Sequence, residues 1–251
     1  MMIFTIAGRE IKSLFLSPLA WAILAVVQII LAYVFLIGIE QFVEVQPRLS
    51  GLSDAPGITD IIAAPLFGTG AVVLLLVAPL LTMRLVSEEH RNRTLSLLLS
   101  APVSMTEIIL GKYLGILLFM LVMLGMVAAM PLSLLAGGNL DLGKLAGGVL
   151  GLGLLLAAFS AAGLFMSTLT TQPTVAAIST FGLLLLLWII DWTSGARAEV
   201  SGVLNYLSLT RHYEPLLKGM FNSVDIAYYL LFIVTFLVLS VRRLDAERLQ
   251  H

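Results

Sequence analysis

The sequence contains no cysteine and only three histidines, and only 12% of its residues are charged. Each shortage removes a class of function. Without cysteine there is neither a disulfide framework nor a thiolate metal site, and the chain is compatible with any redox compartment. Its charged fraction is half the roughly 25% of an ordinary soluble domain. A net charge of −1 offers no basic surface to a nucleic acid. His90, His212 and His251 lie far apart in different loops, so no His-Glu-x-x-His zinc site can form. Ser133, Ser160, Ser167 and Ser179 have no His or Lys base in any apolar stretch, which argues against an intramembrane serine protease.

What is abundant is apolar sequence: 59% hydrophobic residues over 251 positions, with a mean hydropathy of +1.04. A helix needs about 20 apolar residues to cross roughly 30 Å of hydrocarbon. Six segments reach that mark, at about Pro18–Gly38, Ile61–Leu85, Ile108–Leu135, Leu142–Thr170, Val175–Trp192 and Ala227–Val241. The expected fold is therefore an all-α integral membrane protein, one domain over residues 1–251. In the fourth segment Gly147, Gly148, Gly151 and Gly153 favour close helix packing over a loosened helix. Glu40, Arg84, Lys112 and Asp191 are read as lying at or beyond span ends, which leaves the apolar cores without ionisable residues. Proton- or sodium-driven transport generally relies on such residues, so the energy for any transport is expected from another subunit.

Lys and Arg in the loops set orientation. Arg9, Lys12, Arg84, Arg91, Arg93, Lys112, Arg242, Arg243 and Arg248 fall on one side; Arg48, Lys144, Arg197, Arg211 and Lys218 fall on the other. The bias places both termini in the cytoplasm. A cleaved signal peptide is disfavoured, because the first apolar run is too long and no small-x-small site follows it. Ahead of it, Ile3, Phe4, Ala7, Ile11, Leu14 and Phe15 share one face, with Thr5, Arg9, Lys12 and Ser13 opposite. This predicts an amphipathic interfacial helix over residues 1–17, ended by Ser17-Pro18.

Gly138-Asn139-Leu140-Asp141-Leu142-Gly143-Lys144 matches the Gly and Lys positions of a phosphate-binding loop. Leu145 stands where Ser or Thr is needed and no strand precedes it, so the reading is a turn in which Asp141 starts the next helix. Between the second and third spans, Glu89 and Arg93 are four apart, and Leu95, Leu98 and Leu99 form a stripe. That predicts a short amphipathic helix within residues 86–101, stopped at Ala101-Pro102. Ser104 and Glu107 form a capping box ahead of the third span.

The string from Glu88 to Ser104, with Gly111-Lys112 after it, resembles the coupling-helix region of ABC-2 type permeases, the membrane subunits of a class of ABC exporters. Gly8 to Pro18 similarly resembles their elbow helix. Leu207 to Glu214, then Lys218-Gly219-Met220 and Asp225-x-x-Tyr228-Tyr229, is similar to the gliding-motility permease branch, with the nitrous-oxide reductase maturation permease a more distant relative. The resemblance implies a six-span subunit in the cell inner membrane that pairs with a second permease, identical or related. It also implies docking of two cytoplasmic ATPase subunits, which carry the ATP and magnesium; this chain would hold no cofactor of its own. An accessory protein in the membrane or on its outer side fits the same scheme. Glu88, Glu89, His90, Arg91, Arg93 and Thr94 would face the ATPase, with Arg9, Glu10 and Lys12 of the elbow at its edge.

On the outward side, Ala198–Leu207 and Tyr213–Phe221 each read as a short helix, and Gln41–Asp60 reads as loop with room for a short helix before it. Arg211, His212 and Tyr213 are candidates for substrate or partner contact, or else interfacial anchors. Pro65, Pro79 and Pro131 are hinges or static bends. A non-conducting membrane scaffold that docks the same partners is the rival to a permease.

Overall fold

A computed structural model of the chain describes residues 2–49, 56–94, 103–136, 140–194 and 206–248. The described residues form helices and no strand. In chain order they are α1 (Met2–Leu16), α2 (Pro18–Leu49), a π-helical turn (Thr59–Ala63) leading into α3 (Ala64–Thr82), α4 (Ser87–Arg91) and α5 (Met105–Leu132). After a 3₁₀ turn (Ser133–Ala136) come α6 (Leu142–Leu169), α7 (Pro173–Ser194), α8 (Leu209–Leu217) and α9 (Ser223–Arg248). Six stretches, built on α2, α3, α5, α6, α7 and α9, are long and apolar enough to cross a membrane.

The helix starts follow local chemistry. Pro18 opens α2, where its missing N–H would have no helical partner in any case. Ser104 accepts from Glu107 N at 3.2 Å while Ser104 N donates to Glu107 Oε2, also at 3.2 Å, so the capping box is formed. Asp141 Oδ1 accepts from Gly143 N at 2.9 Å and Lys144 N at 3.1 Å, starting α6. Pro65 sits in the first turn of α3, whereas Pro79 and Pro131 lie inside helices.

The innermost helix is α6, which packs against α3, α5, α7, α8 and α9. Its glycines make that possible. A Cβ on Gly147 would stand 2.7 Å from the Leu216 carbonyl oxygen, and one on Gly148 would stand 2.6 Å from the Phe67 ring. Gly163 similarly receives Thr82 of α3. The glycines therefore serve approach rather than looseness. Around this core α2, α7 and α9 turn large apolar side chains outward, among them Ile29, Tyr33, Ile178, Leu186, Leu231 and Val234. Such an apolar exterior suits lipid, since a water-soluble chain rarely carries a continuous belt of this kind.

Three features depart from the sequence reading. The first span does not stop near Gly38, because α2 continues to Leu49 through the stretch expected to be loop. The faces of α1 are mostly as expected, with Ala7 buried and Thr5, Arg9, Lys12 and Ser13 exposed, but Phe4 is exposed and Ile6 and Glu10 join the side turned toward α5. The cause is Gly111-x-x-x-Gly115, where added Cβ atoms would lie 2.7 Å from Ile6 and 2.6 Å from Glu10. Finally, α9 begins at Ser223 and so brings Asp225 into the last span. The predicted helix at Ala198–Leu207, the leucines at 95, 98 and 99, and Gly137-Gly138-Asn139 lie wholly or mostly outside the described residues.

A glycine-to-alanine change in a helix ordinarily gains up to about 1 kcal/mol. Gly125 has open space around it, so Gly125→Ala should match or slightly exceed the parent in thermal unfolding in detergent. Gly147→Ala meets backbone and should lose about 1–3 kcal/mol. Equal melting of the two variants would contradict the packing described for α6.

Candidate functional site

Lys112 lies in the third turn of α5, and at 2% exposure it is among the most deeply buried large side chains. An ammonium so placed must be compensated, since moving an isolated charge out of water is prohibitive. Two helices supply the compensation. Nζ donates to Glu10 Oε1 of α1 at 2.8 Å and to Glu89 Oε1 of α4 at 2.8 Å. Arg9 adds a longer contact to the same Glu89 oxygen, 3.4 Å. Glu89 Oε2 is buried and makes no hydrogen bond among the described residues. Two cations and two carboxylates thus form a neutral node joining the N-terminal helix, the short helix after the second span and the start of the third span.

The α4 helix is pinned from a second direction. Val86 N and Ser87 N both donate to Ser167 Oγ at 3.0 Å, and Ser167 Oγ donates to Met83 O at 3.0 Å. Ser87 Oγ also bonds Met83 O. A hydroxyl from α6 therefore satisfies two amides at the start of α4 that no helical carbonyl can reach. Glu88 and Glu89 occupy the first turn and His90 and Arg91 the last, the charge order that the helix dipole favours. Beyond Arg91 the helix stops. Arg93 takes φ +56°, the left-handed region uncommon outside glycine, and Thr94 N closes onto Glu89 O at 3.0 Å. Glu89 and Arg93 are consequently not on successive turns of one helix.

The residues singled out from sequence divide into two sets. Glu88, Arg91, Arg93 and Thr94 are exposed, as are Arg9 and Lys12. Glu89 and Glu10 turn inward to Lys112, and His90 Nε2 stands 3.4 Å from Glu247 Oε2 of α9, in ion-pair range but without hydrogen-bond geometry. Glu247 also pairs with Arg243 at 3.2 Å. The N-terminal helix and the end of the last helix therefore meet α4 on one face of the molecule. The expectation that Lys112 reaches outward is corrected by this node, in which it is buried against Glu10 and Glu89. Lys112 falls near the end of an apolar run, where hydropathy reads it as peripheral, and its partners lie 102 and 23 positions away.

At the opposite end, His212 is buried rather than presented. Its Nδ1 lies 2.6 Å from Asp225 Oδ1, its Nε2 lies 3.1 Å from Tyr206 O, and its ring stacks on Tyr228 with centroids 4.0 Å apart. Tyr213 is buried too; its hydroxyl donates to Phe67 O at 2.9 Å, and burial pushes the phenol's pKa up. Arg211 alone of these three is exposed. Lys144 of the near-motif pairs with Asp60 at 2.7 Å, and its own amide and that of Gly143 serve the Asp141 cap.

Lys112→Met should cost about 3–5 kcal/mol, because it leaves Glu10 without its counter-charge and Glu89 with only the longer Arg9 contact. Adding Glu10→Gln and Glu89→Gln should recover most of that loss. Thermal unfolding of the single and triple variants checks this; a triple variant no more stable than Lys112→Met would contradict the electrostatic account.

A search of the curated proteins found no match to the chain. The family model described as ABC-2 family transporter protein matches residues 4–249, from the first turn of α1 to beyond the end of α9. With the match running through all six apolar helices and both ends of the node, the chain belongs to the ABC-2 family, the multi-pass membrane permeases of ABC transporters.

Proposed function

We propose that this permease is the membrane subunit of an ATP-driven exporter, powered by separate cytoplasmic ATPase subunits that bind ATP and magnesium, and that α4 is where their motion enters. The observation that carries this is the Lys112 node. A force applied to exposed residues of α4 would pass through Glu89 to α5, through Lys112 and Glu10 to α1, and through Ser167 to α6. Charge pairs and hydrogen bonds at 2.8–3.0 Å transmit displacement without needing a flexible link. In this scheme Arg91, Arg93 and Thr94, with Glu88, form the contact with the ATPase, and Arg9 and Lys12 flank it. Glu89, Glu10 and His90 act behind it, as positioning residues.

The excess of Lys and Arg on the face holding α1, α4 and the end of α9 supports cytoplasmic termini and insertion in the inner membrane. The exposed apolar faces of α2, α7 and α9 support pairing with a second permease, identical or related, around the transport path. The string from Leu207 to Tyr229 supports a place beside the gliding-motility permeases. Arg211, exposed beside the His212–Asp225 pair, is the residue left on that side for contact with substrate or an accessory protein.

The test is co-purification of the tagged chain in mild detergent with assay of ATP hydrolysis. Arg91→Glu should weaken recovery of the ATPase about tenfold or more, since like charges set against each other at an interface cost several kcal/mol. The triple variant at Lys112, Glu10 and Glu89 should keep the ATPase bound yet lose stimulation of hydrolysis by substrate. Recovery of the chain without an ATPase under several lipid conditions would favour a non-conducting scaffold.

A further inference from the structure

A cavity of about 310 Å³ opens between α1, the start of α2, the end of α3 and α4. Arg9, Arg84 and Glu88 stand on its polar side, and Leu14, Leu19 and Leu80 on its apolar side. The volume is at the small end for a ligand site, enough for a headgroup and not for a whole lipid. Leu19 and Leu80, 40% and 44% exposed, continue its apolar side onto the outer surface of the bundle. That surface begins where Pro18 starts the first span, so the cavity sits at headgroup level.

Two of its charged residues are unspent. Lys112 is committed to Glu10 and Glu89, and Arg9 to Glu89. The side chains of Arg84 and Glu88, although four residues apart, make no ion pair or hydrogen bond among the described residues. A cation and an anion held apart in one cavity, above an apolar exit, call for a ligand that carries both charges and a hydrocarbon tail. We propose that the cavity holds the headgroup of one zwitterionic aminophospholipid, with its phosphate on Arg84 and Arg9, its ammonium on Glu88, and its acyl chains along Leu19 and Leu80. A guanidinium grips phosphate oxygens through paired N–H donors, and a primary ammonium donates hydrogen bonds that a trimethylated one cannot. The bound lipid would wedge the N-terminal helix against the first two spans. Arg91, Arg93 and Thr94 do not line the cavity, so the site shares Glu88, and the flanking Arg9, with the proposed ATPase contact.

Native mass spectrometry of the full chain, titrated with phosphatidylethanolamine and phosphatidylcholine bearing the same acyl chains, tests this. One phosphatidylethanolamine should be retained about tenfold more tightly than phosphatidylcholine, the worth of a charge-assisted hydrogen bond. Glu88→Gln should erase that preference, and Arg84→Gln should weaken both lipids. Both side chains are exposed and the comparison of lipids on the parent chain needs no variant. Soluble phosphoethanolamine at matched concentration should not compete; full competition would assign the cavity to a soluble phosphate ester and overturn the lipid assignment. Equal retention of the two lipids would overturn it too, as would variants that alter ATPase recovery alone. None of these outcomes bears on whether Arg91 docks the ATPase.

Discussion

A charge that enters a membrane helix must bring its counter-charges with it, and the end of this permease that carries α1 and α4 is organised around that demand. Lys112 could have been leucine at no cost to the hydropathy of α5. As lysine it draws Glu10 and Glu89 from two separate helices to within 2.8 Å. A buried ion pair is a weak source of net stability when compared with apolar residues of the same volume. What it adds is a positional constraint, since α1 and α4 must both lie beside α5 for Glu10 and Glu89 to meet Lys112. The geometry that the node enforces is the geometry a transmission element needs, a short helix held by several bodies rather than by its own length.

Close backbone approach is the second constraint, and it acts where charge does not. In hydrocarbon, helices gain little from excluding water, so association rests on contact. Gly111 and Gly115 admit α1, and Gly147 and Gly148 admit Leu216 and Phe67. The two devices converge on α5: its glycines bring Glu10 near enough for Lys112 to reach it. Ser167 does comparable work for α4 by accepting two amides that would otherwise face apolar surroundings.

How much of this could be read from the chain depended on range. The spans, the Ser104–Glu107 box and the Asp141 cap are local, decided by residues within a few positions of one another, and the six long apolar helices lie where hydropathy expects them. Lys112, His212 and Asp225 were misplaced because their environments are assembled by distant segments. Hydropathy averages over a window, so a lysine near its edge looks like an anchor, and a carboxylate preceding Ala227 looks like loop. No periodicity marks a serine such as Ser167 that caps another helix. The Gly111-x-x-x-Gly115 spacing is the signal in the chain for the docking of α1, and it lies on α5, outside the amphipathic pattern of α1 itself.

The extra length of α2 carries a consequence of its own. At 1.5 Å per residue, 32 helical residues extend about 48 Å, and a typical tilt near 20° still leaves about 45 Å along the bilayer normal. Some 30 Å of that is consumed by hydrocarbon. The remainder extends beyond the hydrocarbon as a rigid post, carrying Glu40, Glu44 and Pro47 through the headgroup layer. Whatever meets the permease on that side can meet it at headgroup level, at the tip of a lever rooted beside the N-terminal helix. A sideways push there would arrive, through a single unbroken helix, at the residues that line the headgroup cavity on the far side.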